Sequence, residues 1–327
     1  MNTKLLSFII FGGSGFIGSH LVRELKLRGF SDITIADIVE PKGDMFVGTR
    51  FVNCDVRQQI LPDIILGPSV VVNLAAVHRT PGHPDHEYFD TNVKGATNIT
   101  RFCEETGSTT LWFTSSIAVY GPTEEPKSEQ SELTPNSAYG KSKYEAEEIQ
   151  RNWQKKGDGR KLIIVRPAVI FGRGEHANFT KLAKALKHRI FVYPGRKDTI
   201  KGCGYVEDLV GSLFFMNGQP ESSLLYNYCY PRSYTIKEIC GTFSKVAGYG
   251  KPLGTIPLSL MVNASRPFQL LNSLGLKNGI HPARMHKLVK STNIVPGELV
   301  KRGYPYRTDL EEGLKRWLHD SPEGEFI

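Results

Sequence analysis

The chain has 327 residues, 40% of them hydrophobic and 23% charged, with a formal net charge of +8. That length suits a nucleotide-binding domain plus a smaller lobe, and the composition excludes a disordered or fibrous chain. The excess lysine and arginine is spread out, without a basic stripe, interleaved aromatics or a reading motif, so no nucleic-acid partner is expected. The charge leaves three readings open: a diphosphate substrate, an anionic membrane surface, or no specific partner. Five cysteines (54, 103, 203, 229 and 240) are an odd number with no CxxC pair. This argues for a reducing compartment and against a disulfide or zinc framework, and no metal site is assigned. With no signal peptide before the first strand and no apolar run long enough to cross a bilayer, the cytoplasm is the expected location.

Residues 5–11 form an apolar run that ends in Gly12-Gly-Ser-Gly-Phe-Ile-Gly18, and helix formers follow from Ser19 to Arg28. Glycines at 12, 15 and 18 fall where a strand turns sharply, a pyrophosphate approaches the backbone and a helix packs closely on the sheet. Phosphate would rest on that helix N-terminus. A second strand, 32–37, ends on Asp37, nineteen residues past Gly18. A carboxylate there would bind the adenosine ribose hydroxyls and repel a 2′-phosphate, so the expected cofactor is NAD rather than NADP.

Further strands are predicted at 50–53, 70–74, 109–115 and 161–166, with helices between them, including a long one around 85–106. The alternation predicts an α/β fold built on a doubly wound parallel sheet. Asp55, after the third strand, is read either as a cofactor contact or as the N-cap of a following helix. His78 and Arg79 follow the fourth strand near the sheet edge, where they could bind sugar or diphosphate or lie in a solvated loop. Residues 80–84 carry two prolines and mark a loop. Residues 110–121 read as a buried strand running into polar residues at the edge where open α/β sheets bind ligands. Tyr139 and Lys143 are four residues apart, so on a helix they share one face. An ammonium beside a phenol lowers its pKa from about 10 and would make Tyr139 a proton carrier; the alternative is an ordinary surface pair.

Together these stretches resemble the extended short-chain dehydrogenase/reductase family, with its nucleotide-sugar epimerases and dehydratases. The matching pieces, in the family's order, are GGSGFIGSHL at 12–21, Cys54-Asp-Val56, Asn73-Leu-Ala-Ala76, Asp90-Thr-Asn-Val-Lys-Gly95, SSIAVYG at 115–121, YGKSK at 139–143 and Arg166-Pro167. The resemblance implies a Rossmann domain over 1–170, rejoined by a segment at about 202–228, and a smaller C-terminal α/β substrate lobe over 171–327. It places NAD on Gly12, Gly15, Phe16, Ile17, Gly18, Asp37, Asp55, Val56 and Ala75, together with Tyr139 and Lys143. Asp55 would meet the exocyclic amine of the adenine. Ser116, Tyr139 and Lys143 would be catalytic, and Asn92 would support them through a hydrogen bond.

The family's dehydratases carry an Asp-Glu pair after the catalytic hydroxyl, where this chain has Ile117 and Ala118, and its decarboxylases keep a Glu before Val-Tyr-Gly. Dehydration and decarboxylation are therefore not expected. The resemblance leaves 4-epimerisation of a diphosphate-linked hexose or N-acetylhexosamine through a 4-keto sugar. Alternatives are a 4-keto-sugar reductase and a non-catalytic nucleotide-binding protein. Substrate contacts are expected at His78, Arg79 and Asn178; where many uridine-diphosphate-sugar epimerases carry an Arg-x-Gly-Asp type segment, this chain departs with Ile280-His-Pro-Ala-Arg-Met-His286, whose Arg284 would reach a phosphate. Stretches 75–79 and 169–172 and the C-terminal half are similar to bacterial epimerases acting on N-acetylglucosamine linked to undecaprenyl diphosphate. The apolar stretch 256–276 is read either as a core helix broken at Pro267 or as a surface segment lying on a membrane. On the same resemblance, helices near 85–106 and 138–155 would pair two subunits into a homodimer.

Overall fold

The computed structural model describes residues 6–79, 82–157, 159–263 and 289–327. Seven parallel strands form the main sheet: β1 (Phe8–Phe11), β2 (Ile33–Asp37), β3 (Arg50–Asn53), β4 (Val70–Asn73), β5 (Thr110–Thr114), β6 (Lys161–Pro167) and β7 (Ser223–Tyr228). Their order across the sheet is β3-β2-β1-β4-β5-β6-β7. The chain leaves β1 outward to β2 and β3 and then returns to β4 on the other side of β1, so the order reverses between β1 and β4. A crevice opens at such a reversal, outside the carboxyl ends of the strands, and ligands of open α/β sheets bind there.

Both faces of the sheet are buried, and the two-residue period of each strand sorts its side chains between them. Phe8, Ile10, Val70, Val72, Trp112, Ile163 and Val165 share a core with Leu21, Val22 and Leu25 of α1 (Phe16–Leu27) and Leu209 and Leu213 of α6 (Val206–Asn217). Ile9, Phe11, Val71, Leu111, Phe113, Leu162 and Ile164 take the other face, against Ile99 and Phe102 of α3 (Gly95–Thr106) and Ala146 and Trp153 of α4 (Ala138–Lys155). Each fully buried side chain of this size contributes roughly 1.5–3 kcal/mol to folding. A third core, including Phe171, Phe179, Tyr205, Phe243 and Trp317, lies between α5 (Asn178–Lys187), α7 (Ile236–Ala247) and α8 (Leu310–Asp320). Among the described residues, no helix is long and apolar enough to cross a membrane.

The expected long helix over 85–106 is divided. A short α2 (Asp85–Phe89) passes through a π turn, Asp90–Lys94, before α3 begins at Gly95. The wider turn accommodates one extra residue and places Asn92 in the interior, 3% exposed. Such π segments occur often at functional sites. Strand β7 has no counterpart among the strands predicted from the sequence. Of the stretch 256–276, Ile256 ends a short strand (Thr255–Ile256) and 258–263 form a helix; 264–276, with Pro267, lie outside the described residues, as does Arg284.

Candidate active site

A cleft of about 1420 Å³ follows the crevice, lined at one end by Gly12, Gly15, Asp37 and Asp55 and at the other by Asn178, Lys290 and Thr292. That exceeds the roughly 300–1,000 Å³ of a pocket for one small ligand. It suits a dinucleotide and a second molecule end to end.

The glycine loop is built against its neighbours. Gly12 has φ +76°, and a side chain there would press on the Ala75 backbone at 2.6 Å, while one at Gly18 would overlap the Gly13 carbonyl and lift α1 off the strand. At Gly15 a methyl group would meet only the Gly12 oxygen at 3.4 Å and would stand in the open cleft. The N-cap residue of α1 is Gly15, with no side chain bonded to the first turn and no acidic residue in it. Its amides are left for an anion. Phe16 and Ile17 line the same wall. Asp37 Oδ2 accepts from the Ser14 amide (3.0 Å) and Oδ1 from the Val39 amide (3.2 Å), which holds the carboxylate at the tip of β2.

Asp55 is not a helix cap, because a turn follows it. Its carboxylate grips the Arg57 guanidinium at 2.7–3.0 Å and accepts the Arg57 amide at 3.0 Å, and the Arg57 hydrogen bonds hold it below the usual carboxylate range. Val56 beside it is buried. Asn98 Nδ2 donates to the carbonyls of Val56 and Gln58, both at 2.8 Å, and so fixes this turn. Sequence reasoning missed Asn98, because a mid-helix asparagine gives no signal until the fold sets α3 beside the β3 turn.

Helix α4 starts on Ser137, whose Oγ accepts the Gly140 amide at 3.1 Å, and carries Tyr139 and Lys143 on successive turns. Gly140 is required by proximity: a Cβ there would lie 2.5 Å from the Ala118 carbonyl oxygen. This approach brings α4 against the turn that follows β5. Ser116 caps that turn by accepting the Ala118 amide (3.1 Å), and its hydroxyl stands near the Tyr139 phenol. Lys143 Nζ donates to the Thr114 carbonyl (2.8 Å) and lies 4.8 Å from the centre of the Phe113 ring. Ser116, Tyr139 and Lys143 therefore line one stretch of the cleft, with Ala75 and Ala76 across from them. Asn92 clamps this opposite wall. It exchanges hydrogen bonds with the Val77 backbone at 3.1 and 3.2 Å and donates to Ser142 Oγ at 2.9 Å.

One expectation is corrected. Lys143 does not depress the Tyr139 phenol. Burial, with a smaller effect from Tyr88, raises it, and only the nearby Ser116 hydroxyl pulls the other way. Burial brings Lys143 itself down to about 7, opposed by Glu147, so its charge is weak support for a phenolate.

His78 and Arg79 are exposed on the cleft wall, and Asn178 opens α5 at the far end. Glu175, 4% exposed, accepts the amides of Ala177 (2.9 Å) and Thr180 (2.8 Å) and so caps that helix. Lys181, Lys184 and Lys187 are exposed. Asp208 is an anchor: its carboxylate takes the Arg307 and Thr308 amides at 3.0 Å and the Thr308 hydroxyl at 2.7 Å.

The NAD dependent epimerase/dehydratase family profile matches residues 8–228. The chain belongs to that family. Within it, the chain is 29% identical over 322 residues to the N-acetyl-alpha-D-glucosaminyl-diphospho-ditrans,octacis-undecaprenol 4-epimerase of Escherichia coli O157:H7, covering 97% of this chain and 95% of that one. It is 31% identical to UDP-glucose 4-epimerase 2 of Oryza sativa subsp. japonica, over 48% of this chain and 43% of that one. Among solved structures it shares its fold with the UDP-N-acetylglucosamine 4-epimerase of Methanobrevibacter ruminantium M1, solved with UDP-N-acetylmuramic acid (TM-score 0.77, 20% identity, 96% and 97% of the two chains). The UDP-glucose 4-epimerase of Thermus thermophilus, in complex with NAD, gives a TM-score of 0.73 at 19% identity, over 95% and 97% of the two chains. The family's cofactor fits the residues present. Gly15 leaves space where the backbone must be approached, the α1 amides are uncapped, and Asp37 closes the ribose end.

Proposed function

We propose that the chain is an NAD-dependent sugar 4-epimerase whose substrate is an N-acetylhexosamine carried on a polyprenyl diphosphate. The observation that carries the reaction type is one buried phenol, Tyr139, standing near Ser116 on the cleft wall, with Ile117 and Ala118 in the two positions after that serine. A single acid–base group suffices for reversible oxidation at one carbon. Bound NAD would supply the hydride acceptor and donor at C4. Tyr139 takes the C4 hydroxyl proton, with Ser116 holding the same oxygen, and gives it back after the keto sugar presents its other face. Lys143 would hold the nicotinamide ribose, and the small, partly exposed Ala75 and Ala76 would let the ring approach the backbone of the cleft wall. His78, Arg79 and Asn178 bind sugar and diphosphate.

The lipid carrier is supported by the extent of the match. Likeness to the undecaprenol-linked enzyme runs the length of the chain, whereas the rice UDP-glucose enzyme matches over about half. Assayed side by side, undecaprenyl-diphosphate-linked N-acetylglucosamine is expected to exceed UDP-N-acetylglucosamine in kcat/KM by about tenfold or more. Equal or reversed rates would return the substrate to the nucleotide sugars. Stoichiometric NADH oxidation by a 4-keto sugar would instead favour the reductase.

A lipid carrier requires work at a membrane face, and we place the chain in the cytoplasm at that face. Ile190, Leu253 and Leu260 are 68%, 69% and 60% exposed, close to the exposed basic residues Lys184, Arg189 and Lys251. Apolar tips among cations suit an anionic bilayer surface. Ile190→Glu with Leu253→Glu is expected to abolish co-sedimentation with phosphatidylglycerol vesicles while turnover of the soluble nucleotide sugar persists; undiminished vesicle binding would refute this surface.

The outer faces of α3 and α4 expose Arg101, Glu105, Lys141 and Glu145, charges of both signs suited to a two-fold pairing. A homodimer through that face would sediment at twice the chain mass. The division near residue 170, with 202–228 rejoining the first domain, would be confirmed or denied by where limited proteolysis first cuts.

A further inference from the structure

Chemistry at this site needs its groups held within about 0.5 Å of their working positions. Ser116 follows β5, while Tyr139 and Lys143 ride on α4, so two separate segments must be fixed to one another. A buried carboxylate joins them. Glu147 stands one helical turn beyond Lys143 and is 0% exposed. Its Oε1 accepts from Ser115 Oγ at 2.5 Å and from Arg166 Nε at 2.8 Å, and its Oε2 accepts from Arg166 Nη2 at 2.6 Å and Arg151 Nη2 at 3.4 Å. Arg166, on β6, also donates to the Tyr120 hydroxyl (2.8 Å), which donates to Asn227 of β7 (2.8 Å). One carboxylate thus meets the residue before Ser116, the helix of the tyrosine and lysine, and the neighbouring strand.

Resting on the roles given above to Ser116, Tyr139 and Lys143, we propose that Glu147 is the positioning residue of this site, fixing α4 against the ends of β5 and β6. Removing such a tie shifts reacting groups by fractions of an ångström, and rate is steeply sensitive to that. The same carboxylate has an electrostatic consequence. Lys143 is faced by Tyr139 and Glu147 from its own helix, by His78 from the loop after β4, and by the Phe113 ring and Thr114 carbonyl of β5; Arg166 of β6 is bound to Glu147. Glu147 is the negative charge that opposes the fall of Lys143 toward neutrality. Without it, Lys143 gives up its proton at lower pH.

The test is Glu147→Gln, which keeps the size and removes the charge. Turnover is expected to fall about 10–100-fold with KM little changed. In ¹⁵N-lysine-labelled protein, the Lys143 Nζ titration is expected to move to lower pH by about one unit or more. Because the single change strands the Arg166 charge, Glu147→Gln with Arg166→Gln provides the control: it should recover melting temperature without recovering turnover or the Lys143 titration. Should either variant keep the parental kcat and Lys143 titration and differ only in melting temperature, Glu147 is structural cement and the proposal falls. The titration needs neither substrate nor cofactor, so it judges Glu147 even if the substrate assignment fails.

Discussion

Tyr139→Phe is expected to lower kcat by about 10²–10⁴-fold, the usual contribution of a positioned acid–base group. The substitution deletes one oxygen and keeps the ring, whose centroid lies 6.2 Å from that of Tyr88. The deleted oxygen has only the nearby Ser116 hydroxyl as a polar neighbour, so the melting temperature should stay close to the parent's. KM should change little, because the phenol acts on a proton and not on the carrier. A time course of epimer interconversion beside a thermal melt measures both. Full activity in the variant would remove Tyr139 from the chemistry, and with it the proposed role of the phenol.

Two glycines three residues apart should fail in opposite ways. Gly18→Ala drives a methyl group into the Gly13 carbonyl, backbone against backbone, with no flexible side chain to yield. Overpacking of this kind costs roughly 1–3 kcal/mol or more, and the melting temperature should drop by several degrees. Gly15→Val adds its bulk to open cleft, from a backbone with φ −78° that any residue can adopt. Its melting temperature should hold while NAD affinity, read by calorimetry, falls about a hundredfold, near 2.7 kcal/mol. Retained NAD affinity in Gly15→Val would mean that the dinucleotide does not lie along the loop. A stable Gly18→Ala would mean that α1 can retreat from the strand.

Much of the cofactor end could be read from the residues because it is local. A glycine loop between a strand and a helix, with an acid closing the next strand, is specified by spacing, and Gly12, Gly18 and Asp37 stand where that spacing put them. Tyr139 and Lys143 share a helix, so their relation was legible too. Contacts made across elements were not. Gly140 is an ordinary helix glycine until Ala118 is set against it, and Glu147 reads as one more charge on an amphipathic helix until β6 brings Arg166 to it. The phenol's proton affinity went the wrong way for the same reason: spacing reports that a lysine is near but not that both groups are buried.

Taken by itself, the sequence was enough for the strand–helix alternation, the dinucleotide loop with its acid at Asp37, and the pairing of Tyr139 with Lys143 on one helix. These follow from backbone sterics and side-chain period within short windows. Only packing in three dimensions settled that β7 completes the sheet, that a π turn sets Asn92 inward, and that α4 is pressed against the turn holding Ser116. It also settled which charges are buried. Each of these depends on residues far apart in the chain being brought together, and burial, which sets both contact and charge, exists only once they are.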